Sequence, residues 1–241
     1  MAIDDLPMPV VNFLNVIGVP WPYINEDQVH AFAGLVRDFG SAVETTHNDA
    51  TKAVASIAQA HSAASTEKML NGWERLSAQH VSEILDACKI LAPALDAAAD
   101  YIVAQKIAAI AELVAMAAAF IADQAAAVVT LGIAEAAVPA IIAAGRALME
   151  SLVQDLVQYV IGEVVEAAAK PLFAKVEAML SGLDWSGGGS ASGVAGAAGT
   201  GAGLELDAGT VRAQTALLRS HAADMRAHAL SFSSGVQALG F

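Results

Sequence analysis

An all-α fold is predicted by three observations. The composition is 56% hydrophobic but only 5% aromatic and 15% charged, which is too apolar for disorder and too alanine-rich for a β-sandwich. An alternation of apolar or small residues every three and four positions runs unbroken for five heptads from Val29 to Ala64. Residues 101–150 hold 19 alanines, which lose little side-chain entropy in helices and let them approach closely. The expected architecture is an elongated antiparallel helical hairpin extended by Ala-rich helices into a bundle, plus one C-terminal helix after a Gly-rich linker.

The first long helix has a defined start. Pro20 and Pro22 fix φ and hold the segment around Trp21 extended. Asn25 stands at the N-cap position, Glu26 and Asp27 fall in the first turn, and Gln28 is third. From there the seam is Val29, Phe32, Val36, Phe39, Val43, Thr46, Ala50, Ala53, Ile57 and Ala60. The helix should end near His61, and Ser65 or Thr66 can cap the next one. Its stripe is Leu70, Trp73, Ser77, Val81, Ile84, Cys88, Leu91, Leu95, Ala98 and Ile102, with one stutter between Ser77 and Val81. Two long helices joined by a few residues pack antiparallel. Trp73 is expected in the hairpin core, and Cys88, the one cysteine, is expected as a small buried hydrophobe on the helix seam.

The Ala-rich region has membrane-like hydropathy, yet Lys106, Glu112, Asp123, Glu135 and Arg146 interrupt it. The longest uncharged run, Gln124–Ala134, has 11 residues, where a span needs about 20. A helix largely buried between other helices is favoured, with Glu112 and Asp123 on its solvent edge. Pro139 ends or kinks it, and a further helix should carry Ile142, Leu148, Leu152, Leu156, Val160 and Val164. Lys170-Pro171 breaks the chain before a short helix to Leu180. The domain division read from this is 1–180, a linker at 181–203 with nine glycines, and 204–241. The last segment should be an amphipathic helix with the stripe Val211, Thr215, Leu218, Ala222, Met225, Ala229 and Phe232. Arg212, Arg219 and Arg226 recur every seven residues on its flank with His221 and His228 beside them. That basic flank is either plainly solvated or a surface for docking an acidic partner.

Charge and motifs exclude several functions. A net charge of −13 opposes binding to nucleic acid or anionic lipid, which requires cations to displace counterions. The N-terminal residues are acidic and interrupted by Pro7, Pro9, Asn12 and Asn15, so no cleavable signal peptide is evident. No phosphate-binding loop, nucleophile elbow, metalloprotease helix or Cys-His pair occurs. No catalytic residue, metal or cofactor is expected.

The Trp21-Pro22 pair, the acids after it and the helix Val29–Val43 resemble the start of the Trp-x-Gly-related N-terminal domains of actinobacterial type VII secretion substrates and polymorphic toxins. The resemblance extends over roughly residues 13–180, although the turn near His61-Ser-Ala63 carries no Trp-x-Gly and the Trp185-Ser-Gly187 match falls in the glycine linker. It implies a non-enzymatic substrate, cytoplasmic before export and then secreted or surface-bound by a signal-peptide-independent route. It also implies pairing, as a heterodimer, with a small helical-hairpin protein, contact with the secretion machinery, and any toxin cargo supplied by another polypeptide. Self-association is a further possibility. Substrates of this type carry Tyr-x-x-x-Asp/Glu after a hairpin, and Tyr159–Glu163 matches it as a secretion signal. The alternative is a pore-forming protein that inserts residues 101–148 into a membrane.

Overall fold

In the computed structural model, the residues described are 6–60, 64–129, 137–160, 162 and 208–239. They form α1 (Met8–Ile17), α2 (Glu26–Ala60), α3 (Ala64–Leu76), a π-helical turn (Ser77–Val81), α4 (Ser82–Val129), α5 (Val138–Tyr159) and α6 (Ala208–Ala238). No strand occurs among these residues, and the fold is all-α. The linker at 181–203 and the short helix expected before it lie outside the described residues. Two compact units divide the chain. One comprises Met1–Gly34, Leu91–Ala167 and Ala238–Phe241, and the other Leu35–Ile90 and Ala168–Gln237.

The first unit is built around a helix the sequence did not announce. α1 spans Met8–Ile17 although Pro7, Pro9 and two asparagines read as interruptions. Pro9 falls at the helix start, where the missing N–H would have had no intrahelical partner. Gly18 ends α1 in a left-handed conformation at φ 70°, and its N–H bonds to the carbonyl of Leu14. α1 then buries Val10, Phe13, Leu14 and Ile17 in one core with Trp21, with Ile102, Ala109, Leu113 and Ala117 of α4, and with Met149, Leu152 and Leu156 of α5. Close packing of α1 on α5 depends on Gly145: a Cβ there would lie 3.0 Å from the Phe13 ring. The Arg146 side chain crosses back to donate from Nε to the Ile17 carbonyl at 2.8 Å. An otherwise orphaned helix C-terminus thereby gains an acceptor's partner and a favourable charge.

In the second unit α2 lies between two antiparallel neighbours. Along one side Thr51 meets Trp73, His47 meets Ser77 and Gly40 lies against Cys88. Along the other, Thr46 meets His228, Phe39 meets Phe232 and Leu35 lies against Gly235. Val36, Val43, Thr46, Ala50, Ala53 and Ile57 of the expected seam are buried. So is Val54, because two partners require a wider apolar face than one. The stutter expected between Ser77 and Val81 coincides with the π-helical turn, which absorbs the extra residue and restores the seam.

Several expectations are corrected. The second hairpin helix and the Ala-rich helix are continuous from Ser82 to Val129. Pro93 lies inside that helix with its side chain exposed. Ile84 is exposed, not buried. The Ala-rich part of α4 is not largely buried: only one line of it, Ile102, Lys106, Ala109, Leu113 and Ala117, is enclosed, while Ile107, Val114 and Ile121 remain exposed. A helix contacting neighbours on one side cannot bury residues around its whole circumference.

Candidate functional site: helix faces and their polar locks

The chemistry-bearing side chains gather where helices meet. The chain from Trp21 to Asn25 has no regular secondary structure, and the Asn25 Oδ1 accepts from the Gln28 N–H at 3.1 Å. This places Glu26 in the first turn of α2, pointing inward with 2% of its side chain exposed. Lys106, wholly buried, donates to Glu26 Oε2 at 2.8 Å and to the Ile24 carbonyl at 2.6 Å. Two full charges are thus withdrawn from water as a hydrogen-bonded pair, the condition under which burial is tolerated. One turn further along α2, His30 Nδ1 lies 3.0 Å from Asp96 Oδ1, and its Nε2 is 3.6 Å from Asp100.

Trp21 is buried in the core of the first unit, and its indole N–H meets no acceptor among the described residues. Pro22 is half-buried beside it. Trp73 is half-buried. Its ring stacks on His47 with centroids 5.3 Å apart and planes 10° from parallel, and its N–H donates to Thr51 Oγ1 at 3.0 Å. His47 Nε2 in turn bonds the Ser77 hydroxyl in the π-helical turn. Burial holds the His47 pKa below its ordinary value, so the neutral ring is favoured. The half-buried Cys88 thiol is pushed up by burial, which disfavours the thiolate.

Tyr159 occupies the last turn of α5 and stacks on Tyr101, with ring centroids 3.8 Å apart and planes 9° from parallel. Its ring is engaged by α4, and Glu163 lies outside the described residues. Arg212, Arg219 and Arg226 are all exposed along α6. The histidines expected beside them take a different direction. His221 and His228 are half-buried in the seam toward α2, while Ala222 and Ala229, expected there, are exposed. His228 Nε2 bonds Thr46 Oγ1 at 2.9 Å. A shallow groove next to it is lined by Asp38, Ser41, Ala42, Thr45, Thr46 and His228.

Among the described residues no group of three His, Cys, Asp or Glu side chains is placed to hold a metal ion. The longer-range polar contacts join helix to helix, whereas Lys52–Asp49 and His221–Asp224 each lie within one helix. Sequence reasoning missed the most buried of them. The available signal was a lone lysine within an apolar run of α4 and an acid in the first turn of an antiparallel partner.

These faces belong to an all-α helical bundle. A family model described as a WXG100 like domain matches residues 4–147, and the chain belongs to that family, a helical family associated with type VII secretion. The match includes α1, in agreement with its place at the centre of the first unit's core. No curated relative and no solved structure matches the chain.

Proposed function

We propose that this chain is a non-enzymatic substrate of a type VII secretion system. It leaves the cytoplasm by a route that needs no cleaved signal peptide and pairs with a small helical-hairpin protein. The observation that carries this reading is the family match over residues 4–147, which takes in α1, α2, α3, all of α4 and the start of α5. Residues 1–180 would serve as the export domain and 204–241 as a separate C-terminal helix. The exposed heptad of Arg212, Arg219 and Arg226 on α6 supports docking of an acidic partner helix there. Tyr159 and Glu163 are proposed as the secretion signal.

The test is export from a host with and without a functional secretion ATPase. Appearance of the protein in culture filtrate or at the cell surface only when the ATPase is active supports the reading. Equal release from both strains overturns it. Tyr159→Phe keeps a ring to stack on Tyr101, so paired with Glu163→Gln it tests the signal apart from folding. Co-purification with a neighbouring small helical protein, lost in an Arg212→Glu/Arg219→Glu/Arg226→Glu variant, tests the docking flank.

One observation favours a second reading, insertion into a membrane as a pore. Residues Ser82–Ala126 are long and apolar enough to cross a bilayer, with a mean hydropathy of 1.7 over an 18-residue stretch of which only 28% is buried. Against it stands the pairing of Lys106 with Glu26 of α2, which insertion of α4 alone would break, leaving a charge in hydrocarbon at about 2.5–3.5 kcal/mol on insertion scales. Release of trapped dye from liposomes by the purified chain would favour the pore; retention favours the exported pairing module.

A further inference from the structure

We propose that the outer face of α4 is a self-complementary seam on which a second copy of this chain packs antiparallel. The exposed residues Ile107, Ala111, Val114, Ala118, Ile121 and Ala125 alternate steps of four and three, the spacing of a coiled-coil seam. Ile107, Val114 and Ile121 are 55%, 43% and 55% exposed, so this seam is additional to the line of α4 that is already buried. One set of positions is always β-branched and the other always alanine.

This alternation selects the occupant. In an antiparallel pair each position of one set faces a position of the other. Packing α4 on itself with Val114 opposite Ala118 also sets Ala111 opposite Ile121 and Ile107 opposite Ala125. Every one of the six layers then holds one large and one small side chain, the arrangement that fills space without strain. A parallel pair in register would instead set alanine on alanine and isoleucine on isoleucine, alternating voids with crowding. Because the antiparallel seam is its own complement, a twofold axis between Val114 and Ala118 generates it from one chain, as an isologous interface requires.

Charge makes the same choice. Glu112 and Asp123 are the carboxylates on α4 between Ile107 and Ala125, and no cation lies in that interval. In the antiparallel register Glu112 is level with Phe120 of the second copy, and Asp123 with Ala109. A parallel register would bring each carboxylate level with its own equivalent, which the acidic charge of the chain cannot offset.

The six layers span 18 residue steps, about 27 Å of helix, which is short for a stable interface. A weak dimer that dissociates on dilution is therefore expected. The proposal is independent of export and stands or falls on solution behaviour.

The experiment uses the full chain at about 1 to 100 μM with light scattering after size exclusion. A mass that rises from monomer to dimer supports the proposal, provided that Val114→Glu/Ala118→Glu stays monomeric with an unchanged circular dichroism spectrum. Orientation is read by oxidation in a Cys88→Ser background. Antiparallel packing links Val114→Cys chains to Ala118→Cys chains when the two are mixed and links neither to itself. A monomer at the highest concentration, or disulfide dimers from Val114→Cys alone, overturns the proposal. So does an apparent dimer unaffected by the two glutamates, or flotation of the chain with neutral phosphatidylcholine vesicles abolished by them.

Discussion

Lys106 and Glu26, 80 residues apart in sequence, meet as a buried ion pair at 2.8 Å, with the Ile24 carbonyl as a further acceptor for the ammonium. The pair ties the first turn of α2 to the middle of the Ala-rich helix. Removing one member strands the other in a low-dielectric site. Lys106→Ala is expected to cost about 3–5 kcal/mol, whereas Lys106→Met with Glu26→Leu should be near neutral. Urea midpoints of the three proteins decide it: if both variants lose equal stability, the pair is not what fixes this contact.

Gly145→Ala should destabilise the first unit. The added methyl would sit 3.0 Å from the Phe13 ring and 3.4 Å from Ile17 Cδ1, and Phe13 is itself fully packed. Overpacking of this kind costs about 1–3 kcal/mol. Restoration of the melting temperature by a second change, Phe13→Leu, would locate the clash at this pair, and an unchanged melting temperature in Gly145→Ala would refute it.

Gly18→Ala tests conformation without packing. No atom lies within 4 Å of the would-be Cβ, but φ is 70°. The expected cost is about 1 kcal/mol, from backbone strain alone. Gly18→Asn, which tolerates the left-handed region better, should recover part of it. Equal losses for alanine and asparagine would argue against this origin.

The His47 stack predicts a pH dependence with a definite sign. Burial lowers its pKa in the folded chain from the ordinary 6.5, so the unfolded chain binds the proton more readily. The contribution is fully present above pH 6.5 and declines as pH falls through that value toward the lower folded pKa. Since the ring remains partly exposed, the effect should be small. The difference in urea midpoint between pH 7.5 and 5.5 should shrink in His47→Gln; a larger pH dependence in that variant would reverse the assignment.

Phe232→Ala tests how α6 is held. Phe232 packs on Phe39 with centroids 5.0 Å apart, and truncating an aromatic side chain in a packed core costs about 3–5 kcal/mol, less where it is half-buried. Limited proteolysis should then cut within 208–238 several-fold faster than in the parent chain, with cleavage in α2 unchanged.

The long seam of α2 and the stutter before Val81 were legible because heptad spacing reports burial directly. The C-terminal helix was legible as a helix, but its inward face was read through hydrophobicity. That choice put Ala222 and Ala229 inside, where the structure places His221 and His228. Histidine can be half-buried once it has a hydrogen-bond partner, and Thr46, far away in sequence, supplied one for His228. α1 was missed for the opposite reason, since Pro9 was weighed as a breaker when its position at the helix start made it harmless. Lys106 read only as an interruption of a membrane span, because a sequence does not disclose the acid that pairs with it.

The central place of α1 bears on how the chain leaves the ribosome. Phe13 and Ile17 are made more than a hundred residues before Met149 and Leu156, against which they close. At synthesis rates of about 5–20 residues per second, that contact can complete only roughly 7 to 30 s after α1 is made. A nascent chain in that interval holds α1 without its α5 partner, which gives chaperones a long opportunity to bind it.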